Sequence, residues 1–193
     1  MHRRPLALLA LIVGALLLGA CASGGPSTST SPSTSLTAGP DVTLLPDESP
    51  TTTVALPSDC AQVGSSTTRA ATVDQLDLQS DGADFVRPAP EGAKRVLGCD
   101  WFAGDATGYL LLISTTDAAT ADAYVATLPG LGWTCGVGAD DGDMCTMTTA
   151  NSQYPVDTVE TIVSRGGVWI YQSASNIDGQ ALLSDLQSSI WQS

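Results

Sequence analysis

Arg95-Val96-Leu97-Gly98-Cys99-Asp100-Trp101-Phe102 and Tyr109-Leu110-Leu111-Leu112-Ile113-Ser114-Thr115 are two apolar runs joined by Gly104-Asp105-Ala106-Thr107-Gly108. That order reads as a strand, a turn and a second strand. Just beyond, Ala121, Tyr124, Val125 and Leu128 fall at i, i+3, i+4 and i+7. The spacing predicts a helix with Asp117 as its N-cap and Pro129-Gly130 as its stop. Residues 158–191 repeat the order: a strand over 158–164, a turn at Arg165-Gly166-Gly167, a strand over 168–173, and a helix after Asn176 or Asp178. This second helix carries Leu182, Leu183, Leu186 and Ile190 on one stripe and ends at Trp191. Between the two units, Trp133 to Ala150 reads as a further hairpin. Together these elements predict an α+β domain, an antiparallel sheet of about six strands with two helices on one face. The shared strand-strand-helix order is an internal echo, and a duplication is one reading of it.

Outward toward the N-terminus the composition changes twice. Residues 1–20 have the build of a secretory signal: His2, Arg3 and Arg4, then 13 apolar residues from Leu6 to Leu18, then small residues. As a helix that run reaches about 20 Å, short of the roughly 30 Å hydrocarbon core, so a permanent span is the weaker reading. Leu18-Gly19-Ala20-Cys21 resembles the bacterial lipobox, which implies cleavage before Cys21 and a diacylglycerol on its sulfur. From Ala22 to Ser58, 22 of 37 residues are Ser, Thr or Pro. Such a stretch has too little apolar surface to offset the entropy of ordering, and residues 21–58 therefore read as a lipidated cysteine followed by a disordered tether. It spans about 115 Å fully extended and roughly 35 Å as a flexible coil. The expected domain occupies residues 59–193, on the extracytoplasmic face of the cell membrane.

That domain holds four cysteines, Cys60, Cys99, Cys135 and Cys145. An even number in an exported chain reads as two disulfides. A zinc or redox role would need a C-x-x-C pair or a histidine, and the only histidine is His2. Of the three possible connectivities, Cys135 with Cys145 is favoured, because residues 136–144 read as a hairpin tip. Cys60 then pairs with Cys99. On the chain-entropy account the two bridges contribute about 2.7 and about 3.9 kcal/mol. Trp101 and Trp133 each lie two residues from a cysteine. On a strand that spacing puts ring and sulfur on one face, either as core packing or as an aromatic platform for a sugar or peptide.

Asp59-Cys60-Ala61-Gln62-Val63 and Leu97-Gly98-Cys99-Asp100-Trp101, with the lipobox and the tether, resemble a broad group of uncharacterised lipoproteins of high-GC Gram-positive bacteria. The resemblance implies an extracytoplasmic domain and supplies no active site. In that group the opening continues into a helix, whereas Gly64-Ser65-Ser66-Thr67-Thr68 does not read as one.

The chain has 20 acidic and 7 basic residues, a formal charge of −13. This excludes a basic stripe for nucleic acid. Loss of residues 1–20 removes Arg3, Arg4 and His2 and leaves 5 basic side chains against 20 acidic ones. Without histidine no Ser-His-Asp or Cys-His arrangement can be assembled from the mature chain. Lys94, the only lysine, reads as a solvated strand end. Asp157 and Glu160 are the nearest approach to a paired-carboxylate site. Asp140, Asp141 and Asp143, and Asp74, Asp77, Asp81 and Asp84, lack EF-hand spacing and read as solvated turns. No cofactor is expected, since the glycines of 130–138 form neither a dinucleotide fingerprint nor a phosphate loop.

The sequence thus points to a lipid-anchored binding or interaction module at the cell envelope, not an enzyme. A carboxylate-dependent hydrolase of cell-wall glycan and a purely structural surface protein are the alternatives. Changing Cys21 to Ala is expected to release the protein from membranes; fractionation that leaves the variant in the membrane pellet overturns the anchor.

Overall fold

Apolar strands joined by tight turns pair with their chain neighbours, and a helix between two pairs lets the second pair dock beside the first. The computed structural model describes residues 54–191 apart from Val86. The signal segment, Cys21 and the tether up to residue 53 lie outside the described residues. Seven strands are described: β1 (Asp77–Ser80), β2 (Lys94–Ala103), β3 (Thr107–Thr115), β4 (Thr134–Val137), β5 (Asp143–Ala150), β6 (Asp157–Arg165) and β7 (Val168–Ser175). They form one antiparallel sheet in the order β1-β2-β3-β7-β6-β5-β4. Three helices accompany it, α1 (Ser66–Ala71), α2 (Ala118–Val125) and α3 (Gln180–Trp191). The fold is α+β with an antiparallel sheet and two disulfides, as the sequence predicts.

The strand count is seven where about six were expected, and β1 is the addition. All four of its residues are exposed, so it carries no apolar pattern that a sequence reading would catch. It exists because β2 has an open edge, against which Asp77 pairs with Phe102 and Leu78 with Trp101. The segment after Gly64, read as non-helical, also differs: Ser66–Ala71 forms α1. Ser65 Oγ caps it by accepting from Thr68 N–H at 3.3 Å. The larger hold comes from α3, where Asp185 Oδ2 accepts from Ser65 N–H at 2.5 Å and from Thr68 Oγ1 at 2.6 Å. A contact 117 residues away in sequence, not local propensity, secures this turn of helix.

The helices α2 and α3 do not share a face. Leu111, Ile113 and Ile170 are buried with Leu182, Leu183, Leu186 and Ile190 of α3. The alternating residues Leu110, Leu112, Trp169 and Tyr171 are buried with Ala121 and Val125 of α2 on the other side. The cause lies in β3, where every residue from Gly108 to Ser114 is buried. A strand with two apolar faces needs cover on both. The arrangement also bears on the internal echo. The two-fold that exchanges antiparallel neighbours such as β3 and β7 runs perpendicular to the sheet and keeps each face to itself. A symmetric duplication would put both helices on one side, and this pair is on opposite sides.

Local chemistry sets the remaining boundaries. Asp117 caps α2, its Oδ1 accepting from Thr120 N–H at 2.8 Å, and Asp178 Oδ1 accepts from Gln180 N–H at 2.9 Å at the start of α3. Between β6 and β7, Gly166 and Gly167 both have positive φ, 57° and 82°, the geometry of a tight hairpin turn. The disulfides join Cys60 to Cys99 and Cys135 to Cys145, the pairing that the hairpin reading favours. The first fastens the opening turn of the domain to β2. The second links directly paired residues of β4 and β5, with Cα atoms 4.0 Å apart.

The Asp185 contact makes stability depend on pH at the acid end. Its hydrogen bond from the Thr68 hydroxyl, then those from Ser65, hold the carboxyl below the usual aspartate value. A carboxyl depressed in the folded state contributes fully above its unfolded pKa and loses that contribution as pH falls through the folded value. Asp185→Asn is therefore expected to flatten the decline in melting temperature below about pH 4; melting curves with the wild-type slope would show that this contact is not the sensor.

Candidate functional site

The segment between β1 and β2 crosses the α2 side of the sheet, beyond the reach of α2 itself. Pro88 and Pro90 have no N–H to satisfy, so this stretch can lie over side chains without a ladder of its own. It is pinned at two points. Arg95 Nη1 donates to Gly82 O at 2.8 Å, and the buried Trp169 donates its indole N–H to Pro88 O at 3.1 Å. Trp169 is held in turn by Tyr124 of α2, an edge-on ring pair with centroids 5.5 Å apart.

Beneath the segment is a cavity of about 170 Å³, walled by Phe85, Leu112, Trp169 and Tyr171 with Arg87 and Arg95 at its polar side. The Arg87 guanidinium carbon lies 5.2 Å from the Phe85 ring centroid and 6.0 Å from that of Tyr171. Arg87 also borders a second, more open basin of about 380 Å³ whose walls include Glu160, Ser173 and Asn151. Tyr171 joins the two, donating its hydroxyl hydrogen bond to Glu160 Oε1. No described carboxylate lies within ion-pair distance of Arg87, and its guanidinium donates no hydrogen bond to a described residue.

The titration of Tyr171 reports the same geometry. Burial pushes its hydroxyl well above the usual tyrosine value, the hydrogen bond and the negative charge of Glu160 push it further, and the positive charge of Arg87 opposes them. Tyr109, on the α3 side of the sheet, is raised by burial alone.

Of the residues singled out in the sequence, the four cysteines are in bridges. Trp101 and Trp133 are each only 5% exposed, in the α3-side and α2-side cores respectively. They pack beside their disulfides and present no platform. Asp157 and Glu160 stand three residues apart on β6 and so point to opposite faces of the sheet; one oxygen of Glu160 accepts from Tyr171. Lys94 is exposed at the start of β2. The acidic runs are scattered: Asp141 sits in a turn with φ 59°, Asp143 begins β5, Asp74 lies 4.0 Å from Arg69, and Asp81 Oδ1 accepts from Ala83 N–H at 2.9 Å. Among the described residues no three of His, Cys, Asp and Glu converge to hold a metal.

Sequence reasoning missed Phe85, Arg87, Trp169 and Tyr171 as a group. One signal was present, the scarcity of cations, with Arg87 and Arg95 eight residues apart in a domain that has 5 basic side chains. No protein-family model, curated protein or solved structure matches this chain. Among the described residues no helix is long and apolar enough to cross a membrane.

Removing the Glu160 charge is expected to bring Tyr171 down toward the ordinary tyrosine range while burial keeps it above. Spectrophotometric titration of Glu160→Gln checks this, and a tyrosine profile identical to wild type would break the Tyr171–Glu160 link.

Proposed function

We propose that the protein is an extracytoplasmic binding module, tethered to the cell membrane by lipid on Cys21 and presenting the cavity beside Arg87 to a small ligand. The observation that carries the reading is Arg87 itself, lying over two aromatic rings at the edge of a cavity, with no described residue matched to its donors. Its guanidinium reaches both the aromatic cavity and the polar basin beside it, so a ligand entering either meets its donors. Concave, largely apolar walls with a few convergent polar groups are what small-molecule sites generally have. The signal-like residues 1–20, the Ser/Thr/Pro tether and the resemblance to envelope lipoproteins support the address.

A thermal-shift screen of the oxidised mature protein against amino acids, sugars, wall fragments, lipids and calcium tests this reading. A ligand specific for the folded state adds about 2.7 kcal/mol at 100 times its Kd, a shift of several degrees. The expected result is at least one such shift that disappears in Arg87→Ala. Hits that all persist in that variant place binding elsewhere and overturn the cavity as the seat.

A further inference from the structure

We infer that the ligand of this site is a free α-amino acid with an apolar side chain of about phenyl size, its carboxylate on Arg87, its ammonium toward Glu160 and its side chain in the aromatic cavity. The inference rests on the reading of the Arg87 cavity as a ligand seat and names the class of molecule that fills it.

Three features converge on that class. The Arg87 guanidinium lies within cation–π distance of Phe85 and Tyr171, and its N–H donors, set in the fork that matches a carboxylate, meet no acceptor among the described residues. The cavity of about 170 Å³ is close to the size of an engineered apolar cavity of about 150 Å³ that binds benzene. Space of that size accommodates one ring or a branched alkyl group. On its other side Arg87 shares the polar basin with Glu160, yet the two are not within ion-pair distance. A group with both charges that enters this basin meets both of them, and Ser173 lines it as well.

Net charge decides against the obvious competitor. At −13 the protein repels anions, over a range set by a screening length of about 8 Å at physiological salt. A phosphate or a polyanionic wall polymer meets that repulsion with every charge it carries. A zwitterion has no net charge to repel, and only its local charges are read, one by Arg87 and one by Glu160.

Calorimetry on the full mature chain tests the assignment with four probes: phenylalanine, phenylalaninamide, 3-phenylpropionate and alanine. Phenylalanine is expected to bind, and loss of the carboxylate, the ammonium or the ring to weaken binding at least tenfold each. Arg87→Ala is expected to abolish phenylalanine binding. Glu160→Gln is expected to weaken phenylalanine while leaving 3-phenylpropionate unchanged, a split that general damage to the cavity would not produce. Phenylalaninamide or 3-phenylpropionate binding as well as phenylalanine overturns the inference. If none of the four binds while another compound stabilises the protein in an Arg87-dependent way, the inference falls and the binding-module reading stands. If no compound does so, both fall.

Discussion

The pairing of β3 with β7, from Gly108 opposite Ser175 to Thr115 opposite Val168, is the constraint on which the rest of the molecule depends. It joins two hairpins that are separated in sequence by α2 and the β4–β5 hairpin. It also places at the centre of the sheet a strand whose Tyr109, Leu110, Leu111, Leu112 and Ile113 are all buried. Each fully buried large apolar side chain is favoured by about 1.5–3 kcal/mol over its exposed state. Successive ones point to opposite faces, so neither face can be left to water. The two helices, the Cys60–Cys99 bridge and the crossing segment between β1 and β2 all serve that requirement.

The two faces are covered by different means. On one side α3, about 18 Å long, lays an unbroken stripe from Leu182 to Trp191 across the sheet, with the opening turn bridged through Cys60 to Cys99. On the other, α2 is only about 12 Å long and covers β6 and β7 near Trp169. The rest of that face is roofed by a proline-containing segment that makes few directional bonds. The cavity beside Arg87 lies between this roof and the aromatic side chains of the sheet.

Electrostatics marks the same spot. Several other charged groups have ordinary engagements: Arg69 lies near Asp74, Asp117 and Asp178 cap helices, and Asp185 holds α1. Glu160 accepts from Tyr171, and Arg87 faces the same ring. Two opposite charges flank one buried phenol without touching each other.

The sequence by itself determined the local elements and the covalent framework. Period-two and period-3.6 patterns located six strands and both long helices, Asp117 marked the cap of α2, and the even cysteine count with a hairpin between Cys135 and Cys145 anticipated the bridges. These depend on residues close together in the chain, where spacing is geometry. The unbroken runs in β3 and β7 already carried the sign of burial on two faces, and a reading of both helices on one face passed over it. Only the tertiary structure decided the side that each helix covers, the recruitment of exposed β1 by an open edge, the formation of α1 under Asp185, and the meeting of Phe85, Arg87, Glu160, Trp169 and Tyr171. In each case the partners stand tens of residues apart, and no local period encodes which distant surface will come to rest against them.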